Sequence, residues 1–347
     1  MFSQSKVKNS IVNLLKNNLG LQSREKVLIL TDIPTHKIWN DKSFIELNNF
    51  VERSIFAKFF HEFTSKSFPN NSIEFYAFPS IGRHGANPKK SIEEKMINSD
   101  VVIAMTSYSL THTDSCENAI KSGVRIASMP SFLPSMFYPD GSLSVDYSKM
   151  SKVTIKLTRM LSNSEEARIY SEKGTDLEFN LKNRKAKADT GVLREKGSLG
   201  NLPAGETFIA PLENNAKGNA IIPKGWFPGL KRDLEIIVKK GKVVDFNGDS
   251  ETINQLNEIL CLNDNDSFFA PRRVIAELGI GTNPKARLIN NILEAEKIKG
   301  TVHFAIGDNS HFGGKNKSDF HQDFIIPNAT LILDDKKIIH NGRILIK

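Results

Sequence analysis

The sequence predicts an α/β fold in two parts, an open, mostly parallel sheet domain over residues 1–150 and an α+β domain over residues 151–347. Three observations predict it. Short apolar runs alternate with helix-patterned stretches through the first third, the βαβα rhythm of a parallel sheet covered by helices. The character then changes near residue 150. After Gly174 come short strands separated by Gly, Pro and Asn turns. A chain of 347 residues has room for two such domains.

Residues 2–18 fit an amphipathic helix. The run 26–31 (KVLILT) reads as a buried parallel strand. Residues 43–66 repeat apolar side chains at helical spacing, with Ser43 as N-cap. A strand at 72–78 is followed by a helix over 88–98, which opens on a proline and an early Glu pair. Strands at 100–106 and 124–128 flank a helix at 112–122 that ends at Gly123. Residues 151–171 read as helical. Strands are expected at 175–181, 206–210, 234–239 and 242–246, the last two forming a hairpin across Lys240-Gly241. A helix at 250–261 and strands at 272–279, 301–307, 323–326 and 329–333 complete the chain.

Composition narrows the function. The net charge is +8, but the lysines and arginines are scattered, so no nucleic-acid partner is expected. Two cysteines far apart, Cys116 and Cys261, make neither a disulfide framework nor a thiolate zinc site. No signal-peptide pattern opens the chain, and no apolar run approaches the ~20 residues that cross a membrane. A soluble, cytoplasmic protein is expected. With no G-x-G-x-x-G after the first strand and no phosphate-binding loop, nucleotide cofactors are disfavoured.

In the first domain, Ser107–Asp114 form a polar loop after the strand at 100–106, where open α/β sheets place ligands. His112 would contact a substrate or the other domain there. The simpler reading is a helix start capped by Thr113 or Asp114. Gly82–Gly85 most simply marks a turn.

The second domain is richer. Glu206 stands between a Pro/Gly turn and an apolar strand, and Glu277 interrupts an apolar run. A carboxylate in a half-buried strand needs a metal or an arginine, and Arg272, Arg273 or Arg287 would be the plain alternative. Gly279 and Gly281 permit close approach of something to the backbone. His303, His311 and His321 are three of the eight histidines and fall within 19 residues, among Gly-rich turns. His321 and Asp323 share one face of a strand, which suits zinc, cobalt, manganese or iron(II).

Five segments together resemble the thermophilic-type metalloaminopeptidases, the aminopeptidases T and S. They are Gly174-Thr175-Asp176-Leu177, the run from Asn201 to Glu206, the run from Glu277 to Asn283, the run from Gly300 to Gly307, and His321-Gln322-Asp323. The resemblance implies two divalent metals held by Glu206, Glu277, His303, His321 and Asp323, a homodimer, and removal of N-terminal residues from short peptides or a related small amide. Two positions depart from the family pattern. Ser310 stands where the peptidases have a tyrosine, seven residues after the first histidine, and Gly205 stands where a second Glu is common. A ring-cleaving iron(II) dioxygenase acting on dihydroxypyridine looks like a distant member of the same superfamily and also uses a His-x-Asp pair.

The leading expectation is therefore two-metal hydrolysis with zinc, cobalt or manganese. Glu206 or Glu277 would serve as general base, and His311 would stabilise the oxyanion in place of the tyrosine. The alternative is a mononuclear iron(II) dioxygenase using two histidines and a carboxylate with open positions.

Overall fold

The structure, a computed structural model, describes residues 2–111, 113–262, 268–288 and 291–346. Contacts divide the chain into two units, Met1–Ser148 with Gly191–Ala204, and Lys149–Thr190 with Gly205–Lys347. A single cut near residue 150 leaves out the return of Gly191–Ala204 to the first unit.

The first unit is built on a five-stranded parallel sheet in the order Ser72–Pro79, Lys26–Ile33, Val101–Met105, Arg125–Ser128, Leu199–Asn201. Val101–Met105 and Arg125–Ser128 are buried along their whole length, as strands covered on both faces must be. The helix Phe44–Ser67 starts as its sequence dictates. The Ser43 hydroxyl accepts from the Glu46 amide, and the Glu46 carboxylate accepts from the Ser43 amide. Thr113 caps the helix Asp114–Lys121 through the Cys116 amide. His112 lies outside the described residues.

The second unit carries two antiparallel sheets. The larger has eight strands, and its central strands are Lys217–Ile222, Asp176–Asn180, Glu166–Tyr170 and Thr330–Leu333. The smaller runs in the order His321–Ile326, Val302–Gly307, Ile275–Gly281, Glu206–Ile209, Lys187–Asp189. One apolar cluster joins side chains of both sheets, among them Leu177, Phe179 and Ile236 with Leu278, Phe304 and Phe324. Each such buried side chain contributes about 1.5–3 kcal/mol. The hairpin Leu234–Lys239 to Lys242–Asn247 turns at Lys240 and Gly241, both at positive φ, which suits the twist of a two-residue turn.

One expected helix is shorter than its pattern. It runs Tyr147–Asn163, and Glu166–Tyr170 is instead a strand. There Ala167 and Ile169 point inward at period two and pair with 176–180 and 330–333, so partners distant in sequence override the helical reading. Among the described helices, none is long and apolar enough to cross a membrane.

Candidate metal centre

The smaller sheet has one apolar face and one polar face, and the register shows why. Leu278, Ile280, Val302, Phe304, Phe324 and Ile326 enter the apolar cluster. The alternate positions line up across the strands on the other face. Glu206 is opposite Gly281, His303 opposite Gly279, Ala305 opposite both Glu277 and Asp323, and His321 opposite Gly307. Four neighbouring strands therefore bring Glu206, Glu277, His303, His321 and Asp323 to one surface.

The small residues between them have a purpose. A Cβ on Gly279 would stand 2.0 Å from His303 Nε2, so the glycine lets the imidazole lie across the strand. A Cβ on Gly281 would stand 2.1 Å from the Ile298 carbonyl. The two glycines thus admit the His303 ring and the 296–298 backbone.

Among the described residues, two groups of donor atoms each converge within 4.8 Å, Glu206 with Glu277 and His303, and Glu277 with His321 and Asp323. Glu277 belongs to both. Its Oε1 is 3.3 Å from His303 Nε2 and its Oε2 is 3.6 Å from His321 Nε2. His321 Nε2 is also 3.6 Å from Asp323 Oδ1, and His303 Nε2 is 3.4 Å from Glu206 Oε2. His303 is fully buried, whereas 33% of the His321 side chain is exposed, so the second group meets solvent through His321.

The two imidazoles differ at their other nitrogen. His321 Nδ1 donates to the Asp308 carbonyl at 2.8 Å, which fixes the tautomer and aims the Nε2 lone pair at the carboxylates. His303 Nδ1 has no hydrogen-bond partner among the described residues. The loop behind Asp308 is held in turn. Glu213 accepts from Asn309 Nδ2 at 3.1 Å and from the Lys315 amide at 2.7 Å, and Arg184 pairs with Glu213 and donates to the Gly313 carbonyl.

Two residues that drew no attention in the sequence complete the centre. Lys297, 1% exposed in its side chain, places Nζ 2.8 Å from Glu206 Oε1 and 2.5 Å from Glu296 Oε1. A buried ammonium is tolerated only with such partners. The segment 294–299 reads as an ordinary charged turn, and nothing in its spacing signals that Lys297 turns inward. The one cue is its place before Gly300, where the backbone passes close over Gly281.

The charges are strongly coupled. Burial alone would push Lys297 down, but Glu206, Glu296 and Asp189 hold its ammonium well above the usual lysine range. Burial pushes Glu296 well up, with Lys297 opposing. Burial likewise raises Glu277, against the His303 hydrogen bond and the His321 charge. Burial would lower both imidazoles, yet the surrounding carboxylates lift His303 to about 9 and His321 to about 10. Burial would raise Asp323, but the positive charge of nearby His321 holds it at about 2. Carboxylates outnumber permanent cations here, the setting in which a divalent ion replaces protons on the imidazoles.

The remaining expected site residue is elsewhere. His311 belongs to neither convergent group. It sits on the short turn Ser310–Phe312 with its side chain 46% exposed and its Nε2 3.8 Å from Asp308 Oδ2. The oxyanion role foreseen for it has no geometry behind it. Two of the arginines offered as plain partners for Glu277 bond other groups. Arg272 pairs with Asp319, and Arg273 donates to the carbonyls of Leu260 and Cys261.

An α/β protein whose second unit lays two convergent carboxylate–imidazole groups on one sheet face falls in the class of proteins with a candidate divalent-metal site. Within that class, the chain belongs to the 2,5-dihydroxypyridine 5,6-dioxygenase (NicX) family, whose model matches residues 13–346. Its structure is similar to that of 2,5-dihydroxypyridine dioxygenase from Pseudomonas putida KT2440, with TM-score 0.77, 18% identity, and 100% of this chain and 99% of that chain covered. It is also similar to AmpT from Thermus thermophilus, with TM-score 0.63, 14% identity, and 99% and 100% covered. No curated protein matches the sequence.

These matches correct the functional expectation. The aminopeptidase fold is present, but the reading as a metallo-aminopeptidase, hydrolase or protease is overturned in favour of the dioxygenase family. Around the first donor group, Glu206 Oε1 is bonded to the Lys297 ammonium, and only its Oε2 faces His303.

Proposed function

We propose that the chain is an iron(II)-dependent dioxygenase that opens a hydroxylated nitrogen-containing aromatic ring, with a dihydroxypyridine as the first substrate to try. The observation that carries this reading is the convergence of Glu277, His321 and Asp323 in a chain that belongs to the dioxygenase family. The donor set fits the metal. One imidazole and two carboxylates are borderline and hard ligands suited to a divalent first-row ion, and three protein ligands leave positions open. The set has one histidine and two carboxylates, where the sequence suggested two histidines and one. A bound ferrous ion would supply the one-electron chemistry through which dioxygen reacts with a closed-shell ring.

The chain's own residues prepare that chemistry. His321 keeps its Nδ1 proton on the Asp308 carbonyl, so Nε2 is free to coordinate. Asp308 is steadied in turn by the Ser318 amide at 3.1 Å and the Ser310 hydroxyl at 2.9 Å. Ser310, which replaces the peptidases' tyrosine, thus braces the loop that aims His321. His303 holds a proton on Nε2 between Glu277 and Glu206 and orients the Glu277 carboxylate. Phe312 lies edge-on to His321 at 6.1 Å and to Phe208 at 5.4 Å, an apolar flank against which a flat ring would rest.

The test is oxygen uptake by protein reconstituted anaerobically with iron(II) and given 2,5-dihydroxypyridine. One dioxygen consumed per ring, with both ¹⁸O atoms in the product, is expected. Iron-loaded protein that consumes no oxygen with this or any other hydroxylated pyridine would refute the reading.

A further inference from the structure

We infer that Lys297 is a built-in cation that occupies the second half of the metal centre and restricts this chain to a single ion, bound at Glu277, His321 and Asp323. The inference rests on the metal centre of the proposed function and adds how its occupancy is set.

Three observations carry it. The first is position. Lys297 Nζ sits 2.8 Å from Glu206 Oε1, while the same carboxylate's Oε2 faces His303 Nε2 at 3.4 Å. One of the two anionic donors in the Glu206–Glu277–His303 group is therefore already bonded to an ammonium, shared with Glu296 at 2.5 Å, which carries positive charge but has no lone pair to offer a metal.

The second is the contrast between the histidines. A metal-binding imidazole almost always donates its other N–H to a fixed acceptor. His321 does so to Asp308, and His303 has no such acceptor among the described residues. His303 is instead placed to donate from Nε2 to Glu277 at 3.3 Å with Glu206 beside it, the task of a positioning residue.

The third is how Lys297 is delivered. Asn283 donates its amide to the Lys297 carbonyl at 2.9 Å, the Lys299 amide donates to the Asn283 carbonyl at 3.0 Å, and Gly281 lets the 296–298 backbone pass against the sheet. The lysine is thus pinned on both sides of its own residue. A side chain only 1% exposed and anchored in this way is not a surface lysine turned inward by chance. Two ions in such a centre would lie about 3.5–4 Å apart, sharing Glu277, and the second would meet a carboxylate already committed to Lys297.

The experiment counts ions without any assay of activity. Wild-type protein is titrated with Mn(II) beside Lys297→Met, whose side chain keeps the length but loses the charge. The double variant Lys297→Met with Glu296→Gln removes the carboxylate left unpaired. Wild type is expected to bind one tight equivalent per chain and to give the six-line spectrum of an isolated Mn(II) ion. The variants are expected to take up a second equivalent, with a spin-coupled signal, as Glu206 becomes available beside Glu277 and His303.

A folded variant that still stops at one ion would overturn the inference. So would a coupled pair in wild type at two equivalents, and that result decides the matter even where the variants do not fold. Wild type that binds no ion removes the metal centre and the inference together. The expected stoichiometries in a protein that consumes no oxygen would uphold the inference while the dioxygenase reading fails.

Discussion

Both units of the molecule bury carboxylates at strands, and they treat them in opposite ways. In the first unit, Asp32 near the end of its strand accepts from the Ser80 hydroxyl and the Ser107 amide, each at 2.7 Å. Buried Arg53 donates to the same Ser107 hydroxyl and to the Phe132 carbonyl. Burial raises the Asp32 carboxyl, with the two serines and Arg53 opposing. In the second unit, Glu277, His321 and Asp323 face one another across 3.6 Å gaps, too long for hydrogen bonds. A buried carboxylate alone therefore does not mark a site. What distinguishes the second cluster is that its donor atoms converge without closing into hydrogen bonds, the arrangement that a divalent cation could complete.

The largest effect that tests this contrast is loss of a ligand. Asp323→Ala or His321→Ala should weaken divalent-metal affinity by at least about 100-fold by calorimetry. Asp323→Asn should lose metal affinity and lower the melting temperature of the metal-free protein only modestly, because ionised Asp323 is stabilised beside the His321 charge. Asp32→Ala should do the reverse. It strands buried donors and should cost about 2–4 kcal/mol in denaturant unfolding while metal stoichiometry stays the same. If both variants lose stability and neither loses metal, the contrast collapses.

Gly279→Ala comes next. Its new methyl would displace the His303 ring, and a shift of that kind costs about 1–3 kcal/mol. Because His303 orients Glu277, metal affinity should fall with it, whereas alanine at Gly229, an exposed turn glycine at φ +75, should cost about 1 kcal/mol of backbone strain and leave affinity unchanged.

The smallest effect belongs to the first unit. Ser43→Ala removes the cap of Phe44–Ser67 and should cost about 1 kcal/mol. Hydrogen bonds from Lys42 and Ser43 hold Glu46 at about 2 in the folded protein, below its unfolded value. Its contribution is therefore complete above the unfolded glutamate pKa and is lost as pH falls toward 2. Unfolding curves of Glu46→Gln and wild type should converge over that interval and differ modestly above it.

Much of this was legible in the sequence, and the limits have physical causes. The parallel sheet was readable because its strands are short apolar runs punctuated by capped helices, as at Ser43 and Thr113. The convergence of carboxylates and imidazoles was readable because such residues interrupt apolar strands, as Glu277 does between Ala276 and Leu278. Glu166–Tyr170 was misread because its pairing partners lie at both 176–180 and 330–333, beyond any local pattern. Lys297 was missed because no periodicity tells a lysine turned inward from one facing water. The step from aminopeptidase to dioxygenase family was equally invisible in the ligand residues. It came from the family model over residues 13–346, and the one hint in the sequence was Ser310 at the peptidases' tyrosine position.

The most direct test of the central claim is an anomalous difference map at the iron edge from crystals grown anaerobically with iron(II). One peak bounded by Glu277, His321 and Asp323, with Lys297 still on Glu206, is the predicted result. A peak between Glu206 and His303, or none near Asp323, would contradict the account.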